Sequence, residues 1–254
     1  MNEPTPHQIL TRPDGATIAY NSLVGKSPGV VFLGGFMSDM CGSKALALEL
    51  HCQERGQAFL RFDYSGHGQS SGAFRDGTIS QWANDALYAI EHLTQGPQIL
   101  VGSSMGGWIM LLAALHLKER VCGLIGLAAA PDFTEDLIAR ELSDAQRQAM
   151  AHDGFVLVAC DYDDEPYTIT QDLIDDGRQN LLLGADIPLN LPVRLIQGLK
   201  DNDVPWATAL KIQEKLTSTD VEVTLVKDGD HRLSEPGDLE RLTTILDTLL
   251  GRTS

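Results

Sequence analysis

The sequence is poor in positive charge. Its 254 residues include 19 Lys and Arg against 35 Asp and Glu, which gives a formal net charge of −16. Nucleic acids and anionic membranes are bound through clusters of Lys and Arg, so this balance argues against both as partners. The sequence also has no apolar run that approaches the roughly 20 residues of a membrane-spanning helix. Membrane insertion is therefore not expected.

Cysteine is scarce as well. The sequence has four cysteines, none of them in a C-x-x-C pair: Cys41, Cys52, Cys122 and Cys160. Cys122 lies in an apolar run, where a buried free thiol is expected. This usage favours a reducing compartment. The first residues, MNEPTPHQIL, lack a basic segment followed by an apolar one, so no secretory signal is expected. These features predict a cytoplasmic protein.

What the sequence does contain is an alternation of two kinds of segment. Short apolar runs with the character of buried strands include GVVFLGG, AFLRFD, QILVGS and VCGLIGLAAAP. Between them lie segments with helical periodicity, such as SKALALELHCQE, ISQWANDALYAIEHL and MGGWIMLLAALHL. Apolar strands that alternate with helices predict the α/β class, with a mainly parallel sheet covered by helices on both faces.

The alternation stops at Pro131 and resumes with the segment VRLIQG. Residues 131–190, between these points, contain helical stretches but no clear strand. Both ends of this stretch are expected beside the carboxyl ends of predicted strands. Open α/β sheets bind ligands at that edge. The sequence therefore predicts a core of residues 1–130 and 191–254, with a helical lid at residues 131–190.

The composition of the predicted lid leaves two questions open. It contains 14 Asp and Glu but only 3 Arg and no Lys. If this charge faces the binding cleft, anionic substrates are disfavoured, whereas a solvated outer face would only aid solubility. Its apolar residues either line an acyl pocket or pack the lid on the core: Ile138, Leu142, Phe155, Val156, Leu173 and Leu181.

The segment VGSSMGG carries the first candidate for catalysis. It fits G-x-S-x-G with Ser104 at the centre and lies between a predicted strand and a predicted helix. In this context the serine stands on a strained turn above the sheet edge, and the glycines let neighbouring backbone approach. Ser103 cannot fill this role, because the motif would then need glycine at Val101 and Met105. Without catalysis, the segment would be an ordinary tight turn.

A serine hydroxyl needs a base, and in sheets that carry this turn an acid and then a histidine follow the serine. Of seven histidines, only His231 lies after the final predicted strand, in KDGDHRLSEPG. The acid is expected in the preceding loop, GLKDNDVPW, which offers Asp201 and Asp203. Asp201 is favoured because it lies nearer the strand end, and Asp203 is the alternative.

An oxyanion hole completes such a site. One donor is expected from the backbone N–H of Met105, which follows the serine. The other is expected from the loop after the first long strand, where FLGGFMSD places two glycines before Phe36. We therefore predict the backbone N–H groups of Phe36 and Met105 as the donors.

These segments resemble the α/β-hydrolase superfamily. The resemblance extends from about Leu33 to Leu249 and weakens in the predicted lid. It is closer to one branch, the eukaryotic hydrolases described as mycophenolic acid acyl-glucuronide esterase and palmitoyl-protein thioesterase. The segments that carry it are RFDYSGHGQSSG, GPQILVGSSMGGWIML, LPVRLIQGLKDNDVPW and DHR.

The resemblance implies a triad of Ser104, Asp201 and His231 and the hydrolysis of esters or thioesters without a cofactor. The expected partner is a small-molecule ester or thioester, or an acylated protein. No metal-ligand spacing is visible, and no metal is predicted. The same scaffold could instead serve a carbon–carbon bond hydrolase, a perhydrolase without cofactor, or a small-molecule receptor that retains the triad.

Overall fold

A computed structural model describes residues 7–158 and 166–252, so Cys160 lies outside the described residues. Ten strands are described: β1 (Gln8–Thr11), β2 (Thr17–Leu23), β3 (Lys26–Leu33), β4 (Gln57–Phe62), β5 (Gln98–Ser103), β6 (Val121–Leu127), β7 (Phe155–Val158), β8 (Tyr167–Thr170), β9 (Val193–Gly198) and β10 (Val221–Val226). The α-helices among the described residues are α1 (Ser43–Arg55), α2 (Ile79–Leu93), α3 (Met105–His116), α4 (Asp144–Asp153), α5 (Gln171–Gln179), α6 (Ala207–Lys215) and α7 (Pro236–Arg252).

Eight of the strands form one sheet in the order β1-β2-β4-β3-β5-β6-β9-β10. In this order all pairs from β4 to β10 are parallel, whereas β1 pairs with β2 and β2 with β4 in antiparallel fashion. Every residue of β5 is buried, as expected for a central strand with helices on both faces. The predicted fold class is confirmed.

Two apolar layers cover the two faces of the sheet. The larger one includes Trp82 of α2 and Trp108 of α3, both fully buried. The smaller one packs Leu48 of α1 against Leu246 of α7. Because β3, β5, β6 and β9 run parallel, their carboxyl ends meet at one edge of the sheet, and the loops that follow them share that edge.

Residues 131–190, called the insertion below, differ from the sequence expectation in one respect. The sequence shows no clear strand in them, but β7 and β8 pair as an antiparallel hairpin, with Phe155 opposite Thr170. Each strand has only four residues. So short a strand offers two positions per face, which is too few for an alternating pattern to stand out from the helical stretches on either side.

Asp132 fastens the two ends of the insertion together. Its side chain is buried and accepts hydrogen bonds from the backbone N–H groups of Leu182 and Leu183, each at 2.8 Å. Its backbone adopts a φ of 62°, in the left-handed region that Asp tolerates better than most residues. This carboxylate therefore joins residues that lie 50 positions apart in the sequence.

Asp132→Ala is expected to destabilise the protein, because the buried N–H of Leu183 and the partly buried N–H of Leu182 lose their acceptor and alanine is strained at this φ. A buried donor without a partner costs about 1–3 kcal/mol, and for a chain of this size each kcal/mol lowers Tm by about 2–4 °C. Differential scanning fluorimetry should show the loss. Asp186→Ala, at an exposed position of the same insertion, is the control, and equal Tm values for the two variants would contradict this role.

Candidate active site

Ser104 lies on the turn between β5 and α3 with φ 54° and ψ −121°, a conformation that non-glycine residues rarely adopt. Three backbone hydrogen bonds hold it. Its N–H donates to the Leu127 carbonyl at 2.9 Å, and its carbonyl accepts from Gly107 at 2.8 Å and Ala130 at 3.0 Å. A strained backbone conformation persists where the surrounding structure holds it in place, and these three hydrogen bonds do so.

The glycines around this serine are required by close backbone contacts. A Cβ on Gly102 would lie 2.3 Å from the carbonyl oxygen of Gly106, and one on Gly106 would lie 2.1 Å from that of Leu33. Ser103, by contrast, is buried as the last residue of β5. The turn therefore presents Ser104, as the motif predicted, and needs glycine on both sides of it.

His231 connects Ser104 to Asp201. Its Nε2 lies 3.1 Å from the Ser104 hydroxyl oxygen, and its Nδ1 lies 2.9 Å from an Asp201 carboxylate oxygen. When Nδ1–H donates to the carboxylate, Nε2 has a free lone pair to accept the serine proton. The three side chains come from the loops after β5, β9 and β10, and so from distant parts of the sequence.

Asp201 rather than Asp203 faces the histidine. The Asp201 side chain is fully buried, whereas Asp203 is exposed. Asp201 also accepts from the backbone N–H of Asp203 at 2.9 Å and of Val204 at 2.8 Å, and from Gln197 Nε2 at 2.7 Å. The Gln197 contact was not predicted, although its position in β9, four residues before the acid, could have indicated it.

Asp201, Asp203 and His231 also place one possible metal-ligating atom each within 4.8 Å of one another. The two Asp201 oxygens already accept four hydrogen bonds from Gln197, Asp203, Val204 and His231. A carboxylate offers about four lone-pair sites, so this set leaves none for a cation. The geometry is that of a carboxylate that orients an imidazole.

Both predicted oxyanion donors lie beside Ser104. Met105 is the first residue of α3, where backbone N–H groups have no partner within the helix. On the other side runs the Gly35–Phe36 backbone, and a Cβ on Gly35 would lie 3.4 Å from the Ser104 Cβ. The next residue, Met37, has a φ of 53°, so the loop turns sharply here.

A cleft of about 610 Å³ opens above these residues. The described insertion residues that line it are apolar: Phe133, Leu137, Ile138, Val158, Tyr167 and Ile169. The lining also includes polar and charged residues: Ser38, Asp39, Lys44, Asp203, His231 and Arg232. The cleft therefore offers both apolar and polar contacts.

Of the six apolar residues considered for an acyl pocket, only Ile138 lines the cleft. Leu142, Val156 and Leu173 are buried in the larger core layer instead, while Leu181 is exposed. Phe155 is half-buried and lies against the guanidinium of Arg75, 5.5 Å from its ring centroid. Three of the six therefore pack the insertion onto the core, which was the alternative reading, and one lines the cleft.

The charge of the insertion does not line the cleft among the described residues. No described Asp or Glu of the insertion is in its wall, and the ionisable groups there are Asp39, Lys44, Asp203, His231 and Arg232. Burial, followed by the nearby Arg232, lowers the pKa of Lys44 to about 8. The amine of Lys44 donates to the Arg232 carbonyl and so ties the histidine loop to α1. Among the described residues, the lining of the cleft therefore favours the reading in which the acidic side chains of the insertion face the solvent.

The sequence is similar to proteins of known description. It is 41% identical over 249 residues to palmitoyl-protein thioesterase ABHD10, mitochondrial, from Homo sapiens, covering 97% of this chain and 80% of that protein. The structure superposes on alpha/beta hydrolase domain-containing protein 10 from mouse with a TM-score of 0.92 and 38% identity, over 98% of this chain and 100% of the other. A putative hydrolase from Agrobacterium vitis S4 gives a TM-score of 0.92 and 42% identity, with coverage of 97% and 99%.

The prediction of a cytoplasmic location is wrong in the light of these relatives. The similar proteins from Homo sapiens, Pongo abelii and Bos taurus are all named as mitochondrial. The prediction rested on cysteine usage, which reflects the redox conditions that a chain meets and not the compartment that provides them. Among the described residues, no helix combines the length and the apolar character needed to cross a membrane.

The α/β-hydrolase fold family matches this chain over residues 30–175, which is more than half of its length. The matched part contains the second half of β3, all of β4 to β8, and the Ser104 turn between β5 and α3. The long alignments to relatives of about 40% identity agree with this match. This chain therefore belongs to the α/β-hydrolase family and is a hydrolase by descent.

Proposed function

We propose that this protein is a serine hydrolase that cleaves carboxylic esters or thioesters through an acyl-enzyme on Ser104. The observation that carries the proposal is the unbroken hydrogen-bonded chain from Ser104 through His231 to Asp201 at the mouth of an apolar cleft. The names of the relatives, palmitoyl-protein thioesterases, support the reaction class.

Each group has one role in the proposed mechanism. Ser104 attacks the acyl carbonyl while His231 Nε2 takes the hydroxyl proton and then delivers it to the leaving group. Asp201 holds the imidazole with Nδ1–H toward the carboxylate and stabilises the imidazolium that forms. The N–H groups of Phe36 and Met105 donate to the oxyanion. Water, activated by His231, then releases the acid, and no step requires a cofactor.

In this proposal the insertion, residues 131–190, acts as a lid over a core of residues 1–130 and 191–254. The six insertion residues in the cleft wall are apolar, which suits the acyl part of the substrate. The leaving group is then expected near polar residues of the lining such as Ser38 and Arg232. A small-molecule ester or thioester, or an acylated cysteine on a protein surface, has this distribution of polarity.

A direct test is the turnover of p-nitrophenyl esters and of matched acyl thioesters of increasing acyl length by the purified protein. We expect hydrolysis of both classes with saturable kinetics, and kcat/KM rising with acyl length as the apolar wall is filled. Binding of these compounds without turnover would contradict the proposal and would favour the receptor alternative.

Phe36→Pro is expected to lower kcat roughly 10²–10³-fold, because proline removes the N–H that we assign to the oxyanion hole. Phe36→Ala keeps this N–H but removes a ring that packs against four others, so it should lose less than Phe36→Pro. Both values are measured by steady-state hydrolysis, with circular dichroism to confirm folding. Equal kcat values in two folded variants would place the second donor elsewhere.

A further inference from the structure

The side chain of Phe36 is the centre of an aromatic cluster. Its ring makes edge contacts with four other rings at centroid distances of 4.8–5.8 Å: Phe74, Trp82, Phe133 and Tyr167. These edge-to-face arrangements are the ones that aromatic pairs prefer. The residue proposed to bind the oxyanion through its backbone is therefore also the most connected ring of this cluster.

The four rings belong to two different parts of the molecule. Phe74 and Trp82 come from the core, after β4 and in α2. Phe133 and Tyr167 come from the insertion, at its start and in β8. Phe36 is therefore held between the core and the insertion, and the insertion contributes half of its ring contacts.

Phe133 also contacts the element that carries the second proposed donor. Its ring lies 5.7 Å from that of Trp108, one turn into α3, the helix that begins at Met105. The Trp108 indole N–H in turn donates to the carbonyl of Asn180 in the insertion at 3.0 Å. Both elements of the proposed oxyanion hole are thus packed against the same part of the insertion.

The backbone around Phe36 has little regular structure of its own to fix the N–H. Gly34 and Gly35 precede it, and the turn is closed by a bond of 3.2 Å from the Ser38 N–H to the Gly35 carbonyl. An oxyanion donor is effective only when it is already aimed at the position of the developing charge. The ring contacts supply this constraint.

We propose that Tyr167 and Phe133 are positioning residues for acyl transfer, which act through the Phe36 ring on the placement of its backbone N–H. This inference rests on the proposed function, because it requires an oxyanion intermediate on Ser104. The insertion then does more than cover the cleft, since its rings help to set the rate constant of the chemical step.

The same rings contribute to the substrate side of the cleft, because Phe36, Phe133 and Tyr167 all line it. An acyl chain that packs against Tyr167 or Phe133 therefore packs against the groups that hold the donor. Interactions with a remote part of the substrate can in this way favour the transition state and not only binding. Acyl length should consequently raise the acylation rate constant as well as affinity.

The test uses Tyr167→Leu and Tyr167→Phe with p-nitrophenyl acetate and octanoate. Stopped-flow release of p-nitrophenol separates the acylation rate constant from the dissociation constant. We expect Tyr167→Leu to lower the acylation rate constant roughly tenfold even with acetate, whose acyl group makes the fewest ring contacts, because small misplacements of a catalytic group are costly. Tyr167→Phe keeps the ring and should retain the wild-type value within about twofold.

Leu157→Ala is the matched control. Leu157 lies in the same hairpin as Tyr167 but is exposed and is not among the residues that line the cleft. We expect it to leave both the dissociation constant and the acylation rate constant within about twofold of wild type. If Tyr167→Leu does not fold, Phe133→Leu takes its place, and its acylation rate constant and dissociation constant are compared with those of the wild type in the same way.

Two results would overturn the inference. One is a change confined to the dissociation constant in Tyr167→Leu, which would make the ring a substrate contact only. The other is an equal loss in Tyr167→Phe, which would assign the effect to the hydroxyl. Neither result bears on the nucleophile, which fails separately if Ser104→Ala retains hydrolysis.

Discussion

Replacing Ser104 with alanine is expected to lower kcat by about 10⁶-fold, the size of the effect when a serine nucleophile is removed from a triad. The reason is that the Ser104 hydroxyl oxygen lies on the strained turn, 3.1 Å from His231 Nε2, and alanine removes it. The measurement is steady-state hydrolysis of a p-nitrophenyl ester. Any remaining turnover would come from binding and from the oxyanion donors alone.

Ser103→Ala is the matched control for this prediction. It removes the same hydroxyl one residue earlier, on a side chain that is buried in β5. We expect it to retain a kcat close to wild type, with folding checked by circular dichroism. A large loss in Ser103→Ala together with retained activity in Ser104→Ala would show that the wrong serine has been assigned.

Asp201→Asn is expected to lower kcat by about 10⁴-fold, because an amide can turn its NH₂ toward His231 and so stabilise the wrong tautomer. The Asp201 side chain is fully buried and is fixed by three further donors, so water cannot easily replace it. The loss should appear in kcat more than in KM, since Asp201 is not among the residues that line the cleft.

Asp203→Asn provides the comparison. Asp203 is exposed and donates to Asp201 only through its backbone, which the substitution leaves in place. Its kcat should stay within about tenfold of wild type, the most that an indirect effect on one hydrogen bond would give. If Asp203→Asn lost more activity than Asp201→Asn, the acid would have to be reassigned.

The sequence predicted the geometry around Ser104 well because the features there are local. A strained turn requires glycine where Gly102 and Gly106 stand, and this requirement is visible as a motif. Chain order then reduced seven histidines to His231, which lies within hydrogen-bonding distance of Ser104. The choice of Asp201 over Asp203 followed from distance to the strand end, and the hydrogen bond to His231 agrees with it.

The insertion was harder to predict because its structure depends on contacts between distant residues. The hairpin of β7 and β8 is formed by segments too short to show a periodic pattern. The anchoring of Leu182 by Asp132 spans 50 positions and leaves no trace in local sequence. The aromatic cluster joins Phe36 to Tyr167, 131 positions later, and only the folded chain brings them together.

Composition left one question open and misled in one place. The acidic excess of the insertion did not decide whether its charge faces the cleft, and among the described residues its carboxylates lie outside the cleft wall. The net charge of a segment does not specify which face of the folded segment carries the charged side chains. Cysteine usage suggested the cytoplasm, although the relatives are named as mitochondrial.

The most direct test of the central claim is to locate the covalent adduct that forms with a fluorophosphonate, which reacts with an activated serine and remains attached. Tryptic peptide mapping with fragment-ion spectra separates Ser103 from Ser104, which share the peptide that ends at Lys118. We expect a single adduct on Ser104 that is lost in Ser104→Ala and strongly reduced in His231→Ala. An adduct on another residue, or labelling of Ser104 that is unchanged without His231, would contradict the proposed triad.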